Sequence, residues 1–199
     1  MAVTIEDIKK LKELTGVGLT DAKGALVEAN GDFDKALEAM RKKGLTKAEK
    51  KSDREAREGV IDSYVHGGRI GVLVEVNCET DFVARLDGFK AVAHEIALQV
   101  AAMSPEYVTE AEIPAEEMER VRAEAQERVA AEGKPAEIAE KIVEGQVKKH
   151  FVDKVLMSQT YIKDEKQTVG DYIKENIAKL GENIVVRRFK RIELGVNDD

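Results

Sequence analysis

Apolar residues recur at intervals of three and four along the N-terminal part of the chain, which predicts three short amphipathic helices. The pattern is interrupted at Gly16 and at Asn30-Gly31, and we expect Gly44 to end the third helix. Short helices of this kind can bury their apolar stripes only against one another, so residues 1–44 are predicted to form a three-helix module. The apolar positions are Ile5, Ile8, Leu11, Leu14, Ala22, Ala25, Leu26, Ala29, Phe33, Ala36, Leu37 and Met40.

Charged residues dominate residues 45–58, and few large apolar side chains lie among them. A helix without an apolar face cannot pack on a core, so this segment is predicted to be a solvated helical linker. Such a linker would allow the three-helix module to change its orientation relative to the rest of the chain.

Apolar runs between residues 60 and 79 predict a β-hairpin. Its turn contains Gly67-Gly68, which can adopt the positive φ that tight hairpin turns require. The second strand, residues 70–76, is almost entirely apolar, which is typical of a deeply buried strand. His66 therefore lies at the hairpin tip, where a solvated turn residue is the ordinary interpretation.

Helical periodicity returns at residues 87–103, where the apolar positions share one face of a long helix. Residues 114–157 carry a narrower apolar stripe among many charges, which predicts a helical hairpin that turns at Gly133-Lys134-Pro135. A hairpin of this kind can pack on the domain or present a partner surface, as coiled coils do.

One more helix and one more strand are predicted before the end of the chain. Thr168 is a suitable N-cap for the helix, and Gly181 is a suitable end. Residues 184–194 are typical of a strand that joins the hairpin in a three-stranded antiparallel sheet with helices on one face. The predicted fold class is α+β, in which the helical module and the linker precede a core at residues 59–199.

The net charge limits the classes of partner. The 199 residues include 32 Lys and Arg against 39 Asp and Glu, which gives a formal net charge of -7. Phosphate neutralisation needs clustered basic residues, so direct binding to nucleic acid is not expected. No apolar run approaches the ~20 residues that span a bilayer, and the N-terminus lacks the pattern of a signal peptide. We therefore expect a cytoplasmic protein without a membrane partner.

The sequence carries none of the common catalytic motifs, such as a phosphate-binding loop, a dinucleotide-binding glycine turn or a His-Glu-x-x-His zinc motif. A single cysteine excludes an intrachain disulfide and a Cys-rich metal site. Cys78 and His66 would lie at opposite ends of the second strand, and at roughly 3.3 Å per residue the strand puts them far apart, which disfavours a thiol–imidazole pair. A small buried cysteine is the favoured interpretation of Cys78. We expect a binding protein without covalent chemistry, cofactor or metal.

The main candidate for recognition is Asp81-Phe82, an acid beside a large aromatic at the corner between a predicted strand and a predicted helix. A core anchor is the ordinary interpretation of a large aromatic. An exposed aromatic at such a corner can instead act as a wedge that buries its ring between elements of a partner. The adjacent carboxylate could disturb a magnesium site in that partner, because Mg²⁺ requires a near-ideal octahedral shell.

Several segments resemble the translation elongation factor Ts family. Residues 11–26, 64–71, 133–151 and 181–188 are similar to segments of that family. Longer family members carry the hairpin twice, whereas this chain carries it once and resembles the short form, whose members are expected to act as homodimers through the core. The densest resemblance covers all positions of a family signature, Glu75-Val76-Asn77-Cys78-Glu79-Thr80-Asp81-Phe82-Val83-Ala84-Arg85.

The resemblance implies a function. Elongation factor Ts proteins are guanine nucleotide exchange factors that bind elongation factor Tu, displace Mg²⁺ and release GDP so that GTP can enter. The partner is therefore expected in its GDP-bound and nucleotide-free forms, and exchange requires binding alone. The resemblance also implies an N-terminal module of the ubiquitin-associated type.

The resemblance further implies roles for individual residues. His66 would insert into the partner at a second place. The segment that would intrude into the GTPase domain and dislocate Mg²⁺ comprises Thr80, Asp81, Phe82 and Val83. The docking contacts of the N-terminal module would be made by Lys9, Lys12, Leu19 and Thr20. The family usually has Arg in place of this lysine at 12 and often a sulfur-containing pair at 19–20.

A scaffold or adaptor is the alternative class. In that case the three-helix module would bind ubiquitin-like or helical partners, and Asp81 and Phe82 would be structural. The two classes differ in the effect of Phe82→Ala, because removing a core phenylalanine costs roughly 3–5 kcal/mol of folding free energy. Removing an exposed wedge should hardly change the folding free energy.

Overall fold

The computed structural model describes residues 3–131 and 136–196. The helices are α1 (Ile5–Thr15), α2 (Leu19–Glu28), α3 (Phe33–Glu49), α4 (Asp81–Ala84), α5 (Asp87–Met103), α6 (Ala115–Ala131), α7 (Ala136–Phe151) and α8 (Val169–Leu180). The strands are β1 (Glu58–His66), β2 (Ile70–Cys78), β3 (Thr160–Tyr161), β4 (Asp164–Thr168) and β5 (Ile184–Glu193). Periodicity does not predict the short helix α4 or the small β3–β4 hairpin.

The N-terminal helices pack against one another, as the apolar stripes predict. Thr4 begins α1 by accepting a hydrogen bond from the backbone of Asp7 at 3.1 Å, and Gly16 ends it with φ of 66°. Ile5 and Leu14, by contrast, remain exposed. The buried side chains that join the three helices are Leu11, Ala22, Ala25, Leu26, Ala36 and Met40.

The prediction that Gly44 ends the third helix is wrong. Helix α3 continues through Gly44 to Glu49 and packs along α8. A Cβ atom added at Gly44 would lie 3.4 Å from the Cβ atom of Ala178, so this glycine permits a close approach of two helices. Arg41 and Glu175 join the same two helices by an ion pair of 2.9 Å.

The segment predicted as a solvated linker contacts the core. Helix α3 extends into it, and Ala48 is buried in the main core, so the expectation that nothing there could bury a face is wrong. After Glu49 the chain proceeds in turns, and Lys51 Nζ donates a hydrogen bond to the carbonyl oxygen of Gly181. The division of the chain into a docking module, a linker and a core stays a prediction.

Within the described residues, three strands form an antiparallel sheet in the order β1-β2-β5, as predicted. Strands β1 and β2 are joined through Gly67-Gly68, whose φ values are 56° and 68°. Strand β5 pairs with the other edge of β2, and Cys78 lies opposite Ile184 at the end of the pairing. The α+β fold class is confirmed.

The two faces of this sheet differ. Val72, Val74 and Val76 point toward α5 and are buried in the main core together with Phe89. Neighbours on β2 alternate between faces, so the side chains between these valines point the other way. On that open sheet face, four large apolar side chains are exposed to solvent: Ile61, Val65, Leu73 and Ile192.

The predicted helical hairpin is present as α6 and α7, while its predicted turn at residues 133–135 lies outside the described residues. The hydroxyl of Tyr107 donates a hydrogen bond of 2.7 Å to Glu117 at the base of the hairpin, and Lys154 Nζ lies 3.3 Å from the same carboxylate. The hairpin has a small core of its own, formed by Ile113, Val121, Ala125, Val129, Val143, Val147, Phe151 and Val155. In the described parts of the chain, no helix is both long enough and apolar enough to cross a membrane.

Candidate functional site

The wedge, Asp81 and Phe82, lies at the corner between β2 and α4. Thr80 begins α4 by accepting a hydrogen bond from the backbone of Val83 at 3.4 Å. Because α4 is a single turn, its successive side chains point in different directions. Phe82 is 72% exposed, whereas Val83 is 5% exposed and packs in the core. The interpretation of Phe82 as a core anchor is therefore wrong.

Asp81 is also exposed, and its carboxylate forms an ion pair of 2.6 Å with Arg85. Arg85 offsets the negative charge of the wedge in the free protein. Both side chains are largely accessible to water, so the pair contributes little to stability. Asp81 can therefore exchange Arg85 for a group on a partner at low cost.

Glu182 holds the corner from the loop between α8 and β5. Its carboxylate accepts hydrogen bonds from Thr80 N at 3.0 Å, from Thr80 Oγ1 at 2.6 Å and from Glu79 N at 3.1 Å. The residue pattern gives Glu182 no role, but the strand register would have identified it. Because Cys78 pairs with Ile184, the residues two positions beyond the sheet on each strand face one another.

His66 lies at the other end of the hairpin, as the last residue of β1. Its side chain is exposed, and its Nδ1 lies 3.0 Å from the hydroxyl oxygen of Tyr64. The ring of Tyr64 meets that of His94 edge-on, with centroids 6.0 Å apart, and His94 Nδ1 lies 2.9 Å from a carboxylate oxygen of Asp62. His66 is thus accessible to a partner while its ring is held by a neighbouring aromatic.

The wedge and His66 are separated by the whole of β2. The strand runs from Ile70, which pairs with His66, to Cys78 just before the corner. At roughly 3.3 Å per residue this length is about 26 Å. The two candidate motifs therefore lie at opposite ends of one hairpin. They cannot act on the same atoms of a partner.

The residues predicted for the docking module are all exposed: Lys9, Lys12, Leu19 and Thr20. The two lysines lie on α1, and the other two begin α2. The connection between these helices starts at Gly16, where an added Cβ atom would lie 2.7 Å from the Cα atom of Lys179 on α8. The predicted docking surface therefore lies beside the place where the N-terminal helices meet the core.

Cys78 is fully buried, and its Sγ atom donates a hydrogen bond of 3.2 Å to the carbonyl oxygen of Thr80. Burial, with the Glu182 carboxylate nearby, raises the pKa of the thiol from 9.0 to about 11. A protonated, inaccessible thiol is a poor nucleophile, so Cys78 acts as a small packing residue. Across residues 3–131 and 136–196, no group of three or more His, Cys, Asp or Glu is arranged to hold a metal ion.

Comparison with known proteins identifies the family. The sequence profile described as Elongation factor TS matches residues 44–195. The chain belongs to the elongation factor Ts family. The matched range contains the wedge, His66 and Glu182.

Curated members of the elongation factor Ts family align with almost the whole chain. Elongation factor Ts of Syntrophomonas wolfei is 52% identical over 194 residues, which are 97% of this chain and 91% of the relative. Elongation factor Ts of Carboxydothermus hydrogenoformans is 52% identical over 97% of this chain and 89% of the relative. Elongation factor Ts of Fervidobacterium nodosum is 50% identical over 98% of this chain and 100% of the relative. These alignments also include most of the N-terminal residues that precede the range of the family profile.

As an elongation factor Ts family member, the chain exposes most of the residues for which the resemblance implies a contact. Asp81, Phe82 and His66 are accessible, and Val83 lies beneath the wedge. The structure adds Glu182, which touches the corner from a different part of the chain.

Proposed function

We propose that this elongation factor Ts family member is a guanine nucleotide exchange factor for elongation factor Tu in translation elongation. It binds the GDP-bound GTPase, displaces Mg²⁺ and promotes GDP release, so that GTP can bind. The observation that carries the proposal is an exposed phenylalanine, Phe82, beside a carboxylate, Asp81, on a corner whose backbone is fixed by hydrogen bonds.

Phe82 supplies the apolar part of the interaction. A phenyl ring that passes from water into a partner's interior gains roughly 1.5–3 kcal/mol. The backbone around it is already ordered by Thr80 and Glu182, so little conformational entropy is lost on binding. We infer that Phe82 opens the region around the Mg²⁺ site, while Thr80 and Val83 hold the ring in position.

Asp81 acts on the metal ion of the partner. Mg²⁺ requires near-octahedral coordination by oxygen ligands. A carboxylate carried beside that site by Phe82 would repel or replace those ligands. Asp81 is available for this role because its ion pair with Arg85 is exposed and weak. Once the metal contacts are lost, the ordered switch regions of a GTPase collapse and GDP can leave.

The N-terminal helices and His66 supply the remaining contacts. The exposed docking residues on α1 and α2 bind the GTPase domain and bring the wedge to it: Lys9, Lys12, Leu19 and Thr20. His66 presses on a second element of the partner. Because about 26 Å separates His66 from the wedge, the two insertions occur at separate places.

Exchange by this route needs binding alone and no covalent step. The factor must bind the nucleotide-free GTPase more tightly than the GDP-bound form. Coupling between two ligands is reciprocal, so GDP weakens the factor by the same ratio by which the factor weakens GDP.

We further propose that the protein acts in the cytoplasm as a homodimer, without direct contacts to nucleic acid or membranes. The open sheet face presents Ile61, Leu73 and Ile192, and clustered exposed apolar side chains commonly mark protein interfaces. Pairing two such faces about a two-fold axis would bury them and give the assembly two wedges. The net charge of -7 disfavours binding to phosphate backbones.

An adaptor remains the alternative class. It requires Phe82 to be structural, and the exposure of the ring argues against that requirement. The exchange function requires an exposed Phe82, whereas the adaptor class assigns the ring a structural role.

Affinity for two states of the GTPase tests the proposal. Immobilised elongation factor Tu is prepared either without nucleotide or saturated with GDP and Mg²⁺, and binding of the protein to each form is measured. We expect clearly tighter binding to the nucleotide-free form, and a smaller difference for Phe82→Ala. Equal affinities of the wild-type protein would overturn the proposal, because a ligand without preference cannot shift an equilibrium.

A further inference from the structure

The corner that carries the wedge is held by a single carboxylate from another part of the chain. Glu182 accepts hydrogen bonds from the backbone N–H groups of Glu79 and Thr80 and from the hydroxyl of Thr80. Hydrogen bonds to an ionised acceptor are about twice as strong as those between neutral groups. Three of them converge on the two residues immediately before Asp81.

The contact between the two segments is reciprocal. Glu79 in turn accepts a hydrogen bond of 2.7 Å from the backbone of Asn183. Both segments lie immediately outside the last backbone pair of the sheet, Cys78 with Ile184. The two carboxylates therefore extend the β2–β5 pairing with side-chain hydrogen bonds at the point where the backbones diverge.

Asn183 anchors this arrangement to the segment that leads to the N-terminal helices. It is 2% exposed, and its Nδ2 donates to the carbonyl oxygens of Ser52 at 3.1 Å and Arg54 at 2.8 Å. These two part-buried hydrogen bonds hold the backbone next to Glu182 against that segment, so the carboxylate reaches the corner from an ordered position.

We propose that Glu182 is a positioning residue for exchange, which fixes the backbone at Glu79 and Thr80 so that Asp81 and Phe82 meet the GTPase in one orientation. This inference rests on the proposed exchange function. The wedge can promote exchange only when its ring has the orientation that the partner binds. A corner with several orientations spends part of its time in ones that cannot bind. Glu182 itself need not touch the partner.

Two variants separate the hydrogen bonds from the remainder of the side chain. Glu182→Ala removes all three acceptor contacts, whereas Glu182→Gln keeps a carbonyl oxygen for the two amides. Glu165→Ala, which changes an exposed glutamate on β4, is the matched control. Urea unfolding of each variant shows whether it remains folded at the assay temperature.

The first measurement is amide hydrogen exchange at Glu79 and Thr80 in the free protein, followed by nuclear magnetic resonance. We expect these two amides to exchange about ten- to hundredfold faster in Glu182→Ala, with most of the protection retained in Glu182→Gln. Unchanged exchange in Glu182→Ala would overturn the proposal, because the contacts would then not order the corner.

The second measurement is GDP release from elongation factor Tu. We expect Glu182→Ala to slow stimulated release by about tenfold, Glu182→Gln to restore most of it, and Glu165→Ala to match wild type. In a Phe82→Ala background, Glu182→Ala should slow GDP release little further, because Glu182 acts through the ring of Phe82. A folded Glu182→Ala protein that stimulates release like wild type would overturn the proposal.

The two measurements also separate this inference from the proposed function. Failure of the wild-type protein to stimulate release would remove the exchange function and with it the positioning role. Normal release by wild type, together with a full additive loss from Glu182→Ala in the Phe82→Ala background, would retain the function and reject Glu182 as a residue that acts through the wedge.

Discussion

Replacing Phe82 with alanine should change the stability of the fold only slightly. The side chain is 72% exposed, so only about a quarter of the ~200 Å² surface of a phenylalanine is buried in the folded protein. At about 25 cal/mol per Å², the lost burial amounts to about 1.4 kcal/mol. The helix propensity of alanine exceeds that of phenylalanine by roughly 0.5 kcal/mol, which lowers the net loss of stability. The expected loss is about 1 kcal/mol.

Phe89 provides the matched comparison. It lies on α5 in the main core and is 0% exposed, so Phe89→Ala should cost roughly 3–5 kcal/mol. Urea unfolding followed by circular dichroism gives both free energies under one set of conditions. Stimulated GDP release at a fixed concentration of folded protein then measures function. We expect Phe82→Ala to keep the fold and lose most of the exchange activity.

Either of two results would refute this reasoning. A destabilisation by Phe82→Ala as large as that of Phe89→Ala would show that the ring packs in the core. Wild-type GDP release by the folded Phe82→Ala variant would show that the exposed ring takes no part in exchange.

Further predictions concern the hairpin tip, the buried thiol and the open sheet face. The hydroxyl of Tyr64 lies 3.0 Å from His66 Nδ1, so Tyr64→Phe should redistribute the imidazole proton between the ring nitrogens. The ¹⁵N chemical shifts of His66 report this change, and unaltered shifts would contradict the contact. The pKa of Cys78 is raised from 9.0 to about 11, so only the unfolded state ionises between these values. The unfolding free energy should therefore fall as the pH rises through that interval, with a smaller fall in Cys78→Ala. Leu73→Glu places a charge on the open sheet face and should yield a folded monomer in sedimentation velocity, whereas a monomeric wild-type protein would contradict the homodimer.

The features that could be predicted from the sequence have local causes. The Gly67-Gly68 turn determines how β1 and β2 pair, because both glycines adopt positive φ. Thr168 caps α8 in a reciprocal arrangement with Asp171, three residues away. In each case the residues that determine the structure lie within a few positions of one another.

Gly44 shows why a local signal can mislead. A glycine after an amphipathic stripe commonly ends a helix. Here it lies within α3, and its small size matters because Ala178 on α8 packs against it. That neighbour is far away in sequence, so no local pattern distinguishes a helix end from a close helix contact.

The role of Glu182 depends on strand register, which the sequence does not reveal. The β2–β5 pairing shifts by one residue between Glu75 and Val76. Extrapolation from the far end of the sheet would therefore place the wrong residue beside Thr80. The sequence does not determine the exposure of Phe82 either, because a single helical turn can direct an aromatic side chain inward or outward.

GDP release from elongation factor Tu, followed by stopped-flow fluorescence, tests the exchange function most directly. Wild-type protein and the Asp81→Ala/Phe82→Ala double variant are compared, and circular dichroism confirms that each is folded. We predict fast release with the wild-type protein and slow release with the folded variant. Release that is not accelerated by well-folded wild-type protein would contradict the exchange function and favour an adaptor.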